Sequence, residues 1–243
     1  MTDILKKSKK NIPLLKPYQN EGLIELGIDE AGRGCLFGRV YIAGVILPEN
    51  ILELCEEEDI VIRDSKKLSK KNKDRARAFI EQNAIDYSIV YKENTVIDEK
   101  NIFKTTMEAM HEVVNNICIK PDKILVDGNS FPVYRDSEGN LIEHECVIEG
   151  DNTYMSIAAA SILAKTYKDE YIQRIVMEHP EFEKYDLLNN SGYGTKNHLE
   201  AIEKYGITEY HRKSFGICKQ GTNGSLANPP SETSGFTKCL LVG

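Results

Sequence analysis

Asp29 and Glu30 close one apolar run, Asp127 closes another just before Gly128, and Asp151 follows Gly150 at the head of a long helical stretch. Three separate segments thus deliver four carboxylates to the ends of elements, where sites gather in open α/β sheets. Four acids meeting in a low-dielectric cleft repel one another. About two divalent cations would neutralise them, which is the charge arithmetic of a two-metal phosphoryl-transfer centre. An all-oxygen donor set favours Mg2+ or Mn2+ over zinc. Each acid alone has an ordinary explanation: Asp–Gly is a common turn, Asp151 could cap its helix, and an exposed Asp–Glu pair is often a solvated edge. The conjunction is what points to chemistry. No Ser–His–Asp or Cys–His arrangement competes with it, and His111, His144, His179, His198 and His211 show no metal-ligand spacing. Most of these histidines read as surface or capping residues.

Two further groups could serve such a centre. Gly32-Arg33-Gly34 directly follows the first acid pair. Glycines lack a Cβ and let backbone N–H and C=O groups approach a ligand closely. Lys66, Lys67, Lys70, Lys71, Lys73, Arg75 and Arg77 are dense around one motif, with Lys165, Lys168, Lys196, Arg212 and Lys213 in others. Lysine-rich helices are commonly just solvated faces. Lys66 and Lys67 are the members assigned to phosphate.

The elements that must carry these residues alternate. Leu23–Ile28 and Val40–Leu47 read as strands flanking the glycine turn, a hairpin-like pair. Leu68–Asn83 reads as a helix with Ser69 as N-cap, and Tyr87–Tyr91 as a short strand. Apolar residues from Ile102 to Ile117 fall at helical spacing. Lys123–Val126 and Glu145–Ile148 are compact strands. Met155–Met177 is a long helix whose Ser156–Ser161 stretch is small enough for close approach to a sheet. His198–Tyr205 is a helix closed by Gly206. The pattern predicts an α/β fold with a mixed central sheet and helices on both faces.

Composition sets the bounds. The 243 residues, 41% hydrophobic and 28% charged, suit one large domain. Residues 1–20 form a basic, flexible lead-in, in which Lys6, Lys7, Lys9 and Lys10 could touch phosphate but read better as a solvated tail. Residues 21–218 are the domain. From 219 to 243 the sequence is rich in Gly, Ser, Asn and Pro and reads as disordered. A net charge of -7 with pI near 5.4 argues mildly against a nucleic-acid coat, though a local basic groove can sit on an acidic protein. Six scattered cysteines without CxxC spacing suit reduced thiols. With no secretory h-region and no run of about 20 apolar residues, the expectation is a cytoplasmic protein without a membrane partner.

The motifs themselves resemble those of the ribonuclease HII family: GIDEAGRGCLFGRV, RDSKKLS, ILVDGN, EGDNTYMSIAAASILAKTYKDEY, and SGYGTKNHL with HRKSF, in the family's order across roughly residues 22–216. The resemblance implies an RNase H-like fold and a catalytic, metal-binding set of Asp29, Glu30, Asp127 and Asp151, with Asp29 and Asp127 bridging. It implies that the backbone of Gly32-Arg33-Gly34 contacts a ribonucleotide 2′-OH and that Tyr193 packs on the adjoining sugar. Arg33 favours the HII over the HIII type. The implied partners are RNA–DNA hybrids and duplex DNA holding single ribonucleotides, cut on the 5′ side of the ribonucleotide to leave 3′-hydroxyl and 5′-phosphate ends.

Cys35-Leu36-Phe37-Gly38 departs from the family's usual Pro-Leu-Ala-Gly and makes a bulkier turn. Lys168-Asp169 stands where Arg-Asp is common. The sequence has no glutamine–apolar–diaromatic motif for a sliding clamp, and a monomer is expected. Two other readings stay open at this stage: a different RNase H-like nuclease or transferase, and a hybrid-binding module with a dead centre. The second would bind hybrid with or without metal and never cut it.

Overall fold

A computed structural model describes residues 15–220 and the strand 236–239. The strands are β1 (Glu25–Ala31), β2 (Val40–Ile46), β3 (Asp86–Lys92), β4 (Lys123–Asp127), β5 (Glu143–Val147) and β6 (Phe236–Cys239). The helices are α1 (Ile51–Glu57), α2 (Lys70–Asn83), α3 (Asn94–Lys100), α4 (Ile102–Asn116), α5 (Met155–Glu178), α6 (Leu187–Asn190) and α7 (Lys196–Tyr205). The strands form one mixed sheet in the order β5-β4-β1-β2-β3-β6. β1, β4 and β5 run parallel, while β2, β3 and β6 are joined by antiparallel pairings.

Helices cover both faces, as the sequence predicts. On one face α4 lays Met107, Met110, Val113 and Val114 over Leu26, Ile28, Ile42 and Val126. On the other, α5 crosses β1 and β2 and is flanked by α2. The approach of α5 is close because both surfaces are small there. A Cβ on Gly27 would lie 2.3 Å from the backbone carbon of Ser156, and Ser156–Ser161 are all buried. That contact fixes α5 over the middle of β1 and thereby the height of every residue α5 presents to the sheet's upper end.

The structure departs from three sequence expectations. β1 does not stop at Ile28 but continues to Ala31, paired with β2 through Ala31 and Tyr41. The polar Asp29 and Glu30 end the apolar pattern without ending the ladder. Secondly, part of the lead-in is anchored: Lys16 donates to Thr153 O and accepts from Met155 N, both at 2.9 Å, and the Gln19 amide bonds Glu145 and Tyr154. Residues 1–14, with Lys6, Lys7, Lys9 and Lys10, lie outside the described residues. Thirdly, within the stretch read as a disordered tail, Phe236–Cys239 pair with Ile89–Asp86 of β3. A strand partner supplied by the fold overrides a weak local composition.

Candidate functional site

β1 and β4 are parallel neighbours with Ile28 opposite Val126, so the residues that follow, Asp29 and Asp127, come side by side at the upper end of the sheet. Alternation along the strands puts both on the face that meets α5, with Gly27 and Leu125 below them. Glu30, one residue on, projects to the opposite face, where its Oε1 lies 3.5 Å from the Arg33 guanidinium. Asp151 arrives from the short 3-10 turn Gly150–Asn152. This turn is docked by its own backbone, for Gly150 N donates to Asp127 Oδ1 at 2.7 Å. A Cβ at Gly150 would meet the Ile157 side chain at 2.6 Å, so glycine permits the docking. Asp151 does not cap α5: the N-cap is Tyr154, with no side-chain cap bond.

The electrostatics tie the four acids together. Burial raises the Asp29 carboxyl well above its ordinary range, and the charges of Glu30 and Asp127 raise it further. Burial also raises Glu30; Arg33 opposes this and Asp127 adds to it. Asp151 is raised by burial, then by Asp127 and Asp64, against the pull of Lys66 and Lys67. Asp127 is thus the common neighbour of the other three. Among the described residues, no three Asp, Glu, His or Cys side chains are gathered tightly enough to enclose a metal ion as they stand. Each acid is instead engaged locally: Asp29 with the Glu30 N–H at 2.7 Å, Asp127 with Gly150 N, Asp151 with the Asn152 amide at 3.2 Å. Each of these bonds uses Oδ1, so the second carboxylate oxygen is the one that would face a cation. Oxygen donors, mutual repulsion and buried negative charge all suit a hard divalent ion.

Four residues that sequence reasoning did not single out belong to this neighbourhood. Asp64 is buried, accepts from Lys66 N at 2.8 Å and faces Lys67 Nζ at 3.6 Å. Lys67 also donates to the Asn152 side chain. Ser161 of α5 opposes the rise at Asp29 and lies 3.2 Å from the Ser65 hydroxyl. The signal for Asp64 and Ser65 was present in RDSKKLS, a stretch that draws attention for its lysines. Lys66 and Lys67 themselves are exposed beside Asp151.

The glycine turn that follows β1 meets Tyr193. Gly32 has φ +89°, and a Cβ there would sit 2.8 Å from the Lys168 side chain and 3.0 Å from Arg39 O. Gly34 faces the Tyr193 ring, the nearest ring atom 3.9 Å from a hypothetical Cβ. Cys35 and Tyr193 form an antiparallel bridge. Burial, with the neighbouring Cys35 adding to it, pushes the Tyr193 phenol up to about 12. It therefore stays protonated at neutral pH while the residue remains 40% exposed.

The bulky Cys35-Leu36-Phe37 turn is accommodated. Phe37 is buried against Tyr210, His211 and Phe182, with ring centroids 5.0–6.0 Å away. Arg212 pins the turn from beneath, donating to Gly38 O at 2.9 Å and to Arg33 O and Arg39 O at 3.0 Å.

Several candidate phosphate contacts are corrected by burial. Arg212 and Lys168 are 0% and 1% exposed; Lys168 donates to Ser191 O at 2.7 Å. Both organise the turn from within. Lys165 is paired with Asp169 at 2.9 Å. His198 and His211, read as surface or capping residues, are fully buried. A lone histidine in a sequence carries no sign of burial, because its ring is apolar in body and polar at the edge.

Among the described residues, no helix is long and apolar enough to cross a membrane. A family model for ribonuclease HII matches residues 26–218. The chain is 46% identical over 207 residues to ribonuclease HII of Parabacteroides distasonis, covering 85% of this chain and 97% of that protein. It is 47% identical over 200 residues to ribonuclease HII of Christiangramia forsetii, covering 82% and 94%. Among solved structures it resembles ribonuclease H2 of Pyrococcus horikoshii, with TM-score 0.66, 25% identity, and 81% and 95% coverage. It also resembles RNase HII of Archaeoglobus fulgidus in a complex with PCNA, with TM-score 0.64, 25% identity, and 80% and 96% coverage.

Proposed function

The chain belongs to the ribonuclease HII family, and from that premise we propose that its acid cluster and glycine turn together cut one strand at a ribonucleotide. The protein is a ribonuclease H, an endonuclease that hydrolyses RNA in RNA–DNA hybrids. Our finer reading is that it also cleaves duplex DNA on the 5′ side of an embedded ribonucleotide, leaving 3′-hydroxyl and 5′-phosphate ends.

The observation that carries this reading is the contact between Tyr193 and the Gly32–Cys35 turn, which begins where β1, the strand of Asp29 and Glu30, ends. A reader of a single 2′-OH needs backbone donors and acceptors at close range and a flat wall for the sugar. Gly32, Arg33 and Gly34 offer the first and Tyr193 the second. A site built to bond a hydroxyl can reject the analogue lacking it by roughly 10⁴–10⁵-fold. Lys66 and Lys67 are exposed residues beside Asp151, Lys67 with its ammonium now on Asn152 and near Asp64, and would hold the flanking phosphate.

Asp29, Glu30, Asp127 and Asp151 would hold Mg2+ or Mn2+. Bound divalent ions supply charge neutralisation and Lewis acidity for in-line displacement at phosphorus. The chain's own contribution is to fix the four carboxylates on two strands and a docked turn, to keep Asp29 dry, and to align the ribose by the glycine turn. The PCNA complex is a property of the archaeal relative. The present sequence carries no clamp motif of the glutamine–apolar–diaromatic kind, and we take the working unit to be a monomer.

The test is a duplex carrying one ribonucleotide, incubated with and without Mg2+, its end-labelled products mapped on a gel. Metal-dependent cutting 5′ to the ribonucleotide supports the reading; cutting 3′ to it, or binding without any cleavage, refutes it.

A further inference from the structure

Sequence spacing gives His198 and His211 no role, yet their rings are fully buried with the two Nε2 atoms 3.2 Å apart. The proton on each ring is fixed by neighbours that cannot change sides. His198 Nδ1 lies 2.9 Å from Tyr193 O, which only accepts, so Nδ1 carries the hydrogen. His211 Nδ1 lies 2.9 Å from the backbone N–H of Thr208, which only donates, so that nitrogen is bare. The Thr208 hydroxyl, also 2.9 Å away, can donate to it as well. Burial lowers the pKa of both imidazoles, His211 to about 3, so each ring is neutral and holds one proton. One arrangement satisfies every atom: His211 donates from Nε2–H to the bare Nε2 of His198, which donates from Nδ1–H to Tyr193 O.

We propose that His198 and His211 are positioning residues, a two-imidazole relay that sets the backbone of Tyr193 against the glycine turn and so makes the enzyme selective for an isolated ribonucleotide. The relay closes a ring of contacts. Tyr193 bridges to Cys35, Phe37 bridges to His211, and Leu36 is bonded on both sides, its N–H to Gly192 O and its O to Arg212 N, each at 2.8 Å. Arg212, next to His211, holds Arg33 O, Gly38 O and Arg39 O. Phe37 and Tyr185 pack edge-on against His211 with ring centroids 5.0 Å away, which keeps the relay dry. Neither histidine touches substrate. A carbonyl held by two donors, Thr195 N at 2.8 Å and His198 Nδ1, cannot shift as a loop carbonyl would. Small displacements of a recognition group cost rate steeply. This inference rests on Tyr193 being the residue that lies against the junction sugar.

The test separates the two ends of His198. His198→Asn keeps an amide N–H where Nδ1 stood but cannot reach His211; His198→Gln reaches His211 but withdraws the donor from Tyr193. Each is assayed on a duplex with one ribonucleotide and on a long RNA–DNA hybrid, with Mg2+ present. We expect His198→Gln to lower the ratio of kcat/KM values, junction over hybrid, by about 10-fold, mainly through kcat, and His198→Asn to retain most of it. Equal loss on both substrates, or equal ratios in the two variants, would overturn the proposal. Ring nitrogen–proton correlation spectra of the wild-type protein provide a readout independent of any variant's folding. They should show His198 as the Nδ1–H tautomer and His211 as the Nε2–H tautomer at neutral pH; any other pair, or a charged ring, overturns the relay. If Tyr193→Ala leaves the ratio unmoved while these tautomers are seen, the junction role of Tyr193 has failed and the relay's hydrogen bonds stand.

Discussion

The carboxylate of Asp127 receives the backbone N–H of Gly150 at 2.7 Å, so one proposed metal ligand places the turn that carries another, Asp151. Strand end and turn are one unit, and Asp127 is also the acid whose charge is felt at Asp29 and Glu30.

Asp29→Asn and Asp127→Asn should therefore separate activity from folding. Either change should lower turnover in Mg2+ by roughly 10³-fold or more. An asparagine oxygen can still accept from Glu30 N or Gly150 N, so the melting temperature should hold or rise. Steady-state rates alongside thermal melts check this, and near wild-type turnover in either variant would remove that residue from the centre.

Metal-free stability should fall as pH rises through the raised pKa of Asp29. Its ordinary value is 3.8 and its folded value lies well above. Between the two, the native state holds a proton that the unfolded chain has released, so the stabilisation present at lower pH is lost on the way up. Glu30 and Asp151 shift in the same direction. Adding Mg2+ at neutral pH should raise the melting temperature by mass action. Melts of wild type and Asp29→Asn across mildly acidic to neutral pH read the effect: the variant should show a flatter slope and a smaller gain from Mg2+.

Replacing the junction ribose by its 2′-O-methyl form should block cutting as fully as a deoxyribose does. The methyl removes the hydroxyl donor and fills the space left by Gly32 and Gly34, while the deoxyribose leaves desolvated backbone groups unpaired. Tyr193→Ala should hurt the single-ribonucleotide duplex more than a long hybrid, where neighbouring ribonucleotides offer other registers. Product mapping on both substrates decides it, and equal losses would count against the assignment of Tyr193.

Truncation after Lys219 removes β6, whose described pairing is with Asp86–Ile89 of β3, two strands away from the strand that carries Asp29. Cleavage should be unchanged. The melting temperature should drop by roughly 2–6 °C, the size of a short edge pairing worth about 1 kcal/mol. A loss of activity at unchanged stability would assign the tail a part in substrate handling.

What the sequence disclosed follows what is local. Ser69 caps α2 by accepting from Asn72 N at 3.3 Å, as its position before a run of helix formers predicts. α4 and α5 begin where their spacing says. The four acids were visible because their neighbours, a strand end or a glycine, are visible. What stayed hidden depends on contacts made across the fold. α1 and α3 have seven residues each, too few for a periodic signal. β6 is a strand because β3 offers an edge. Lys168 and Arg212 look like surface cations until α5 and the glycine turn close over them. His198 and His211 acquire meaning only from each other, thirteen positions apart.

Among the described strands β6 is made long after its partner β3. At ordinary elongation rates the edge of Asp86–Ile89 waits roughly 10–30 s for its cover. During that interval the nascent chain presents an unpaired strand edge, a template for pairing with other chains. A chain cut short before β6 should therefore self-associate more readily while it is being made than the full chain does, a cost paid in biogenesis and not in the reaction.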